Sequence, residues 1–189
     1  MPNYPLTQLE AKAWGIAEFL HRKQIRKNSG KSYFNEHVAK VNGTLKLYTK
    51  SEKKLIMALL HDTLEDCFEE HEFEEGFNFI ATTFSHDIAV GVVQLTTDKK
   101  ILKTVFKGDK GAYLLYKMKN MTEDVLQVKL ADRLRNLDDA LTEKNLKYVN
   151  QTMLIMNSLD IRPATHNRIT CNIANDIVAK CENVLKILK

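Results

Sequence analysis

Apolar residues recur at helical spacing along most of the chain. Leu6, Leu9, Ala13, Ala17 and Leu20 share one face of a segment that the pattern predicts to be helical from Thr7 to about Lys27. Thr7 followed by Glu10 has the form of a capping box, which satisfies the first free amides of a helix. Asn28, Ser29 and Gly30 break the pattern, and an apolar and aromatic stretch resumes at Tyr33. A second helix is predicted from about Ser51 through Asp66, with Ser51 as its cap and Glu52 at its positive end. Its centre, LIMALL at 55–60, is apolar on every side, which places it inside the protein. Residues 68–76 read as an acidic connector, 77–97 as a further helix with a short loop, and 98–111 as a basic, glycine-containing link. From 112 to 142 the helical period returns, with Leu126, Leu130, Leu134, Leu137 and Leu141 in one stripe, and two more helices are expected after Glu143. No repeat or compositional shift marks a second domain, so the expectation is one compact, all-α helical bundle spanning residues 1–189.

Composition narrows the class. With 44% hydrophobic and 28% charged residues the 189-residue chain can build a core, and disorder or a fibrous repeat is excluded. The net charge of +4 suits a small phosphorylated ligand and falls short of the footprint of a nucleic-acid binder. Cys67, Cys171 and Cys181 have neither CxxC nor disulfide-ladder spacing, which fits a reducing compartment. No run approaches the roughly 18 uninterrupted apolar residues of a membrane span, and the first twenty residues carry charges where a signal core would be apolar. A cytoplasmic protein is expected.

The chemistry concentrates in ALLHDTLEDC, where His61, Asp62, Glu65 and Asp66 follow the most hydrophobic turn of the chain. On a continuous helix His61 and Glu65 form one ridge and Asp62 and Asp66 another, roughly 100° apart. Imidazole and carboxylate suit a divalent ion such as manganese, and two groups remain for acid–base work. In VLQVKLADRLRNL, Asp132 and Asn136 continue the face of Val125 and Val128, so that this face turns from apolar to polar at Asp132. Taken alone, Asp132 is more often half of a salt bridge with Arg133 or Arg135, and His37 more often a surface or core histidine. Arg26, Lys27, Ser29 and Lys31 lie on a turn able to present side chains and amides to phosphate, or simply to water. The GKS at 30–32 is no P-loop, because Ile25 stands where that loop requires glycine.

In four blocks the chain resembles the HD superfamily of metal-dependent phosphohydrolases, and within it the hydrolase domain of the RelA/SpoT alarmone enzymes and the small stand-alone alarmone hydrolases. The blocks are RKNSGKSYFNEHVAKV at 26–41, ALLHDTLEDC at 58–67, VVQLTTDKKILK at 92–103 and VLQVKLADRLRNL at 125–137. The resemblance implies an all-α HD-domain fold in which His37, His61, Asp62 and Asp132 ligate one ion, normally manganese, while Glu65 and Asp66 act on water and the reacting phosphate. It further implies that Arg26, Lys27, Ser29, Tyr33 and Asn136 surround the nucleotide, with Tyr148 near its ribose or base. The implied activity is removal of the 3′-pyrophosphate of ppGpp or pppGpp without synthesis, on a small-molecule substrate, with no nucleic acid or membrane involved. Departures are Val38 where the family usually has proline, Lys31 and Ser32 for the common Glu and Pro, and Arg135 where histidine is frequent. None removes an implied ligand, and they leave room for another nucleotide substrate, such as a deoxynucleoside monophosphate or NADPH, or for a silent nucleotide-binding module.

Overall fold

The computed structural model describes residues 5–27 and 29–188, so Asn28 of the predicted break lies outside the described residues. Helices dominate, and the backbone gathers into two units, one up to Thr96 and one from Thr97 onward. Among the described residues the β pairing is a single isolated bridge, Ile25 with Ser32.

In the first unit α1 (Gln8–Leu20) starts at Thr7, whose hydroxyl accepts the Glu10 amide at 3.1 Å. The capping box is only half formed, because the buried Glu10 carboxylate turns to the Lys46 ammonium at 2.9 Å instead of returning to the cap. Ile25 and Ser32 close a turn in which Arg26 N–H donates to Lys31 O at 2.8 Å and Tyr33 N–H to Gln24 O at 2.9 Å. Gly30, at φ +67°, takes the left-handed conformation that this turn needs and that side chains resist. The chain re-enters helix through a π-helical turn, Phe34–Val38, which runs into α2 (Ala39–Lys46).

Then comes α3 (Glu52–Leu60), where every residue from Lys54 to Leu60 is buried. It packs against α1, α2 and the later α6 (His86–Leu95), which is why its apolar residues run all round instead of along one stripe. Each fully buried Leu or Ile there contributes about 1.5–3 kcal/mol. Ser51 stands at the cap position but its hydroxyl makes no capping bond.

The expected helix from Ser51 to Asp66 is not continuous. It breaks at His61–Asp62, where Asp62 adopts φ −101° and ψ 0°, and a short α4 (Thr63–Asp66) follows. The two ridges predicted for an unbroken helix therefore do not form. The ladder gives way at the two residues whose side chains face His37 instead. The segment read as an acidic connector holds a 3₁₀ turn, Glu70–Glu72, and opens α5 (Phe73–Thr83), which packs on α6.

The second unit carries α7 (Lys99–Thr104), α8 (Lys110–Lys119), α9 (Glu123–Thr142), α10 (Leu146–Leu159) and α11 (Arg168–Leu188). The long period at 112–142 is thus two helices, parted before Thr122, which takes the N-cap position of α9. Leu126, Leu130, Leu134 and Leu137 are buried as the stripe predicts, and Leu141 is half-buried. The buried stripe of α11, Ile173, Ile177, Cys181 and Val184, belongs to the helix that packs most extensively on α9. Among the described residues no helix is long and apolar enough to cross a membrane.

Candidate metal centre and nucleotide site

Three ligating atoms converge in the first unit. His37 is supplied by the π-helical turn, a helix distortion frequently found at functional sites. His61 and Asp62 are supplied by the break between α3 and α4. The two histidines are 2% exposed, and their Nε2 atoms lie 3.2 Å apart. Asp62 Oδ2 sits 2.9 Å from His61 Nε2 and 3.4 Å from His37 Nε2.

The tautomer of His61 decides what this cluster can share. His61 Nδ1 lies 2.8 Å from the Ala58 carbonyl, an acceptor only, so Nδ1 carries the proton and a neutral His61 presents the bare lone pair of Nε2 to the cluster. An imidazole lone pair facing a carboxylate oxygen at 2.9 Å is repulsive unless a proton or a cation is shared between them. Burial alone would push the Asp62 carboxyl up, but where a proton is what is shared, the charge on His61 and the hydrogen bonds from His37 and His61 outweigh that and hold it well below the usual carboxylate range. Two imidazoles and an ionised carboxylate are a donor set that a divalent ion of intermediate hardness fits.

Glu65 is half-buried and Asp66 exposed, both on α4 directly after the cluster. Of the residues assigned to the nucleotide, Arg26 is half-buried with its guanidinium 5.5 Å from the centre of the Tyr33 ring, and Lys27 and Ser29 are exposed on the closed turn. The Tyr33 hydroxyl donates to Asp62 Oδ2 at 2.6 Å.

Asp132 belongs to the second unit, where it is buried on α9. Its carboxylate accepts from Lys129 Nζ at 2.8 Å and from Asn136 Nδ2 at 2.7 Å, while Arg135 pairs with Asp138 and Asp139. The alternative of an Arg133 or Arg135 salt bridge is therefore not the arrangement found. Tyr148, on α10, lies under the Arg133 guanidinium at 4.9 Å with the Asn136 side chain near its hydroxyl, and burial pushes its phenol up. Both Asn136 and Tyr148 are thus close neighbours of the Asp132 carboxylate.

His21 was not among the expected site residues, yet it is fully buried beside the cluster. Its ring packs on Tyr33 at 5.4 Å, its Nδ1 pairs with Gln24 Oε1 at 2.7 Å, and Cys67 Sγ lies 3.5 Å away. Burial lowers its pKa, partly offset by Gln24 and Asp62. A signal for it exists in the sequence, because His21 continues at four-residue intervals the buried face of Ala13 and Ala17. Burial, with Asp66 and Asp62 nearby, pushes the Cys67 thiol up to about 12. At about pH 8 only about one molecule in 10⁴ then carries the reactive thiolate, so iodoacetamide should leave Cys67 largely unmodified in the folded protein. Peptide mapping that finds Cys67 alkylated as fast as a free cysteine would contradict this environment.

A helical fold carrying a histidine–aspartate pair in sequence, its histidine buried and joined by a second buried histidine, defines the class of protein. The chain belongs to the HD domain family, whose model matches residues 13–162. No curated protein sequence matches it. Among solved structures it is similar to one described as a metazoan ortholog of SpoT that hydrolyzes ppGpp and plays a role in starvation responses, with a TM-score of 0.72 and 23% identity, covering 95% of this chain and 98% of the other. At that identity the likeness establishes a shared all-α fold over nearly the full length of both chains.

Proposed function

We propose that the chain is a pyrophosphohydrolase that removes the 3′-pyrophosphate of ppGpp or pppGpp, giving GDP or GTP and pyrophosphate. The observation that carries this reading is the convergence of His37, His61 and Asp62 at 2.9–3.4 Å, in a chain of the HD domain family. The ppGpp-hydrolysing protein of similar fold supports the choice of substrate. In this reading Asp132 completes the ligand set for one manganese ion, which as a Lewis acid makes water a better nucleophile at neutral pH. Glu65 and Asp66 orient the attacking water, take its proton and return one to the 3′-oxygen, so that the bond to phosphorus forms as the one to the 3′-oxygen breaks. Arg26 and Lys27 neutralise phosphate charge and contact the purine, and Ser29, Asn136 and Tyr148 bound the nucleotide. The reading also takes residues 1–189 as one hydrolase domain working in the cytoplasm on a small molecule.

The test is manganese-dependent release of pyrophosphate from ppGpp by the purified chain. Pyrophosphate and GDP in equal amounts are expected, with none formed in chelator. Metal-loaded protein that leaves ppGpp intact yet dephosphorylates deoxynucleoside monophosphates or NADPH overturns the substrate assignment. Binding of ppGpp without turnover under the same conditions overturns the enzymatic reading altogether.

A further inference from the structure

Tyr33 is held on several sides. Its amide donates to Gln24 O at 2.9 Å as part of the closed turn. Its ring packs between the imidazoles of His21 and His37, with centroids 5.4 and 5.2 Å away, and the Arg26 guanidinium lies over it at 5.5 Å. His21 is itself fixed, since Nδ1 meets Gln24 Oε1 at 2.7 Å and Gln24 Nε2 donates to the carbonyl of Asp66 at 2.9 Å. A ring so packed is restrained, and its hydroxyl is directed to Asp62 Oδ2 at 2.6 Å, the short length of a charge-assisted bond. That oxygen is the one that faces both His37 Nε2 and His61 Nε2. The carboxylate needs such a restraint. It sits at a helix break with its side chain 20% exposed, where Asp rotamers compete and water can pull it away.

We propose that Tyr33 is a positioning residue for the ion, its hydroxyl holding the Asp62 carboxylate in the orientation that faces the two imidazoles, and that this role takes the place of a nucleotide contact. The inference rests on the metal reading above. Groups that orient metal ligands typically change affinity by about 10–100-fold when removed.

The experiment is calorimetric titration of manganese into the metal-free chain, comparing wild type, Tyr33→Phe and Tyr33→Leu. Tyr33→Phe keeps the packed ring and removes one oxygen, so its metal-free melting temperature should match wild type. Its manganese Kd should rise about 10-fold or more, KM for ppGpp should hold at saturating manganese, and excess manganese should restore most of kcat. Tyr33→Leu, which also removes the ring, should bind manganese no better than Tyr33→Phe. Equal manganese affinity in wild type and Tyr33→Phe overturns this inference alone. So does a rise in KM for ppGpp in Tyr33→Phe with manganese affinity intact, which makes the hydroxyl a nucleotide contact. A wild-type chain that takes up no manganese overturns the metal reading and this inference with it.

Discussion

Asp132→Ala is expected to leave the purified protein without retained manganese and with ppGpp hydrolysis no faster than in chelator. The substitution removes one of two anionic ligands from the proposed set of His37, His61, Asp62 and Asp132. Even a group that only orients a ligand costs about 10–100-fold in affinity, so loss of an aspartate ligand should cost more than about 100-fold. The fold should survive. Lys129, which donates to Asp132 at 2.8 Å, is 18% exposed and can turn its ammonium to water, and Asn136 is only half-buried. Elemental analysis of the dialysed protein alongside its melting curve separates the two effects. An Asp132→Ala chain that folds and still carries one manganese ion removes Asp132 from the ligand set.

Glu65→Ala is expected to do the reverse, keeping the ion while turnover collapses. Glu65 is half-buried on α4, one helical turn beyond the His61–Asp62 break, and is not among the three groups that converge in the first unit. Its proposed work is to orient water and accept a proton, and general-base catalysis contributes about 10²–10⁴-fold. The manganese content should stay at the wild-type level and kcat should fall by about that factor, with KM for ppGpp little changed. Comparable metal loss in Glu65→Ala and Asp132→Ala would collapse the division between ligands and acid–base groups.

The two variants together test an assignment that was only partly visible in the order of residues. The residue types of the cluster are legible, because two adjacent ionisable residues after LIMALL are costly to bury without a purpose. Their placement is not. Helical periodicity carried the reading straight through from Ser51 to Asp66, and at 112–142 it joined two helices. Both breaks occur where the pattern of apolar residues continues while the backbone does not. The capping box at Thr7 failed in its second half for the same kind of reason, since Lys46 lies 36 residues away and outcompeted the local amide for Glu10.

What the sequence by itself determined is the all-α class, the central position of α3, the buried stripe of α9 and the residue types able to hold a cation. These are consequences of local spacing, because burial of one helix face depends on which residues recur every three or four positions. Only the tertiary structure decided that His37 reaches His61 across 24 residues and that the Tyr33 hydroxyl spends itself on Asp62 across 29. It alone revealed His21 as the packed support behind that hydroxyl. A π-helical turn, a broken helix and a closed glycine turn aim these side chains, and their geometry comes from contacts between distant segments, about which a one-dimensional period carries no information.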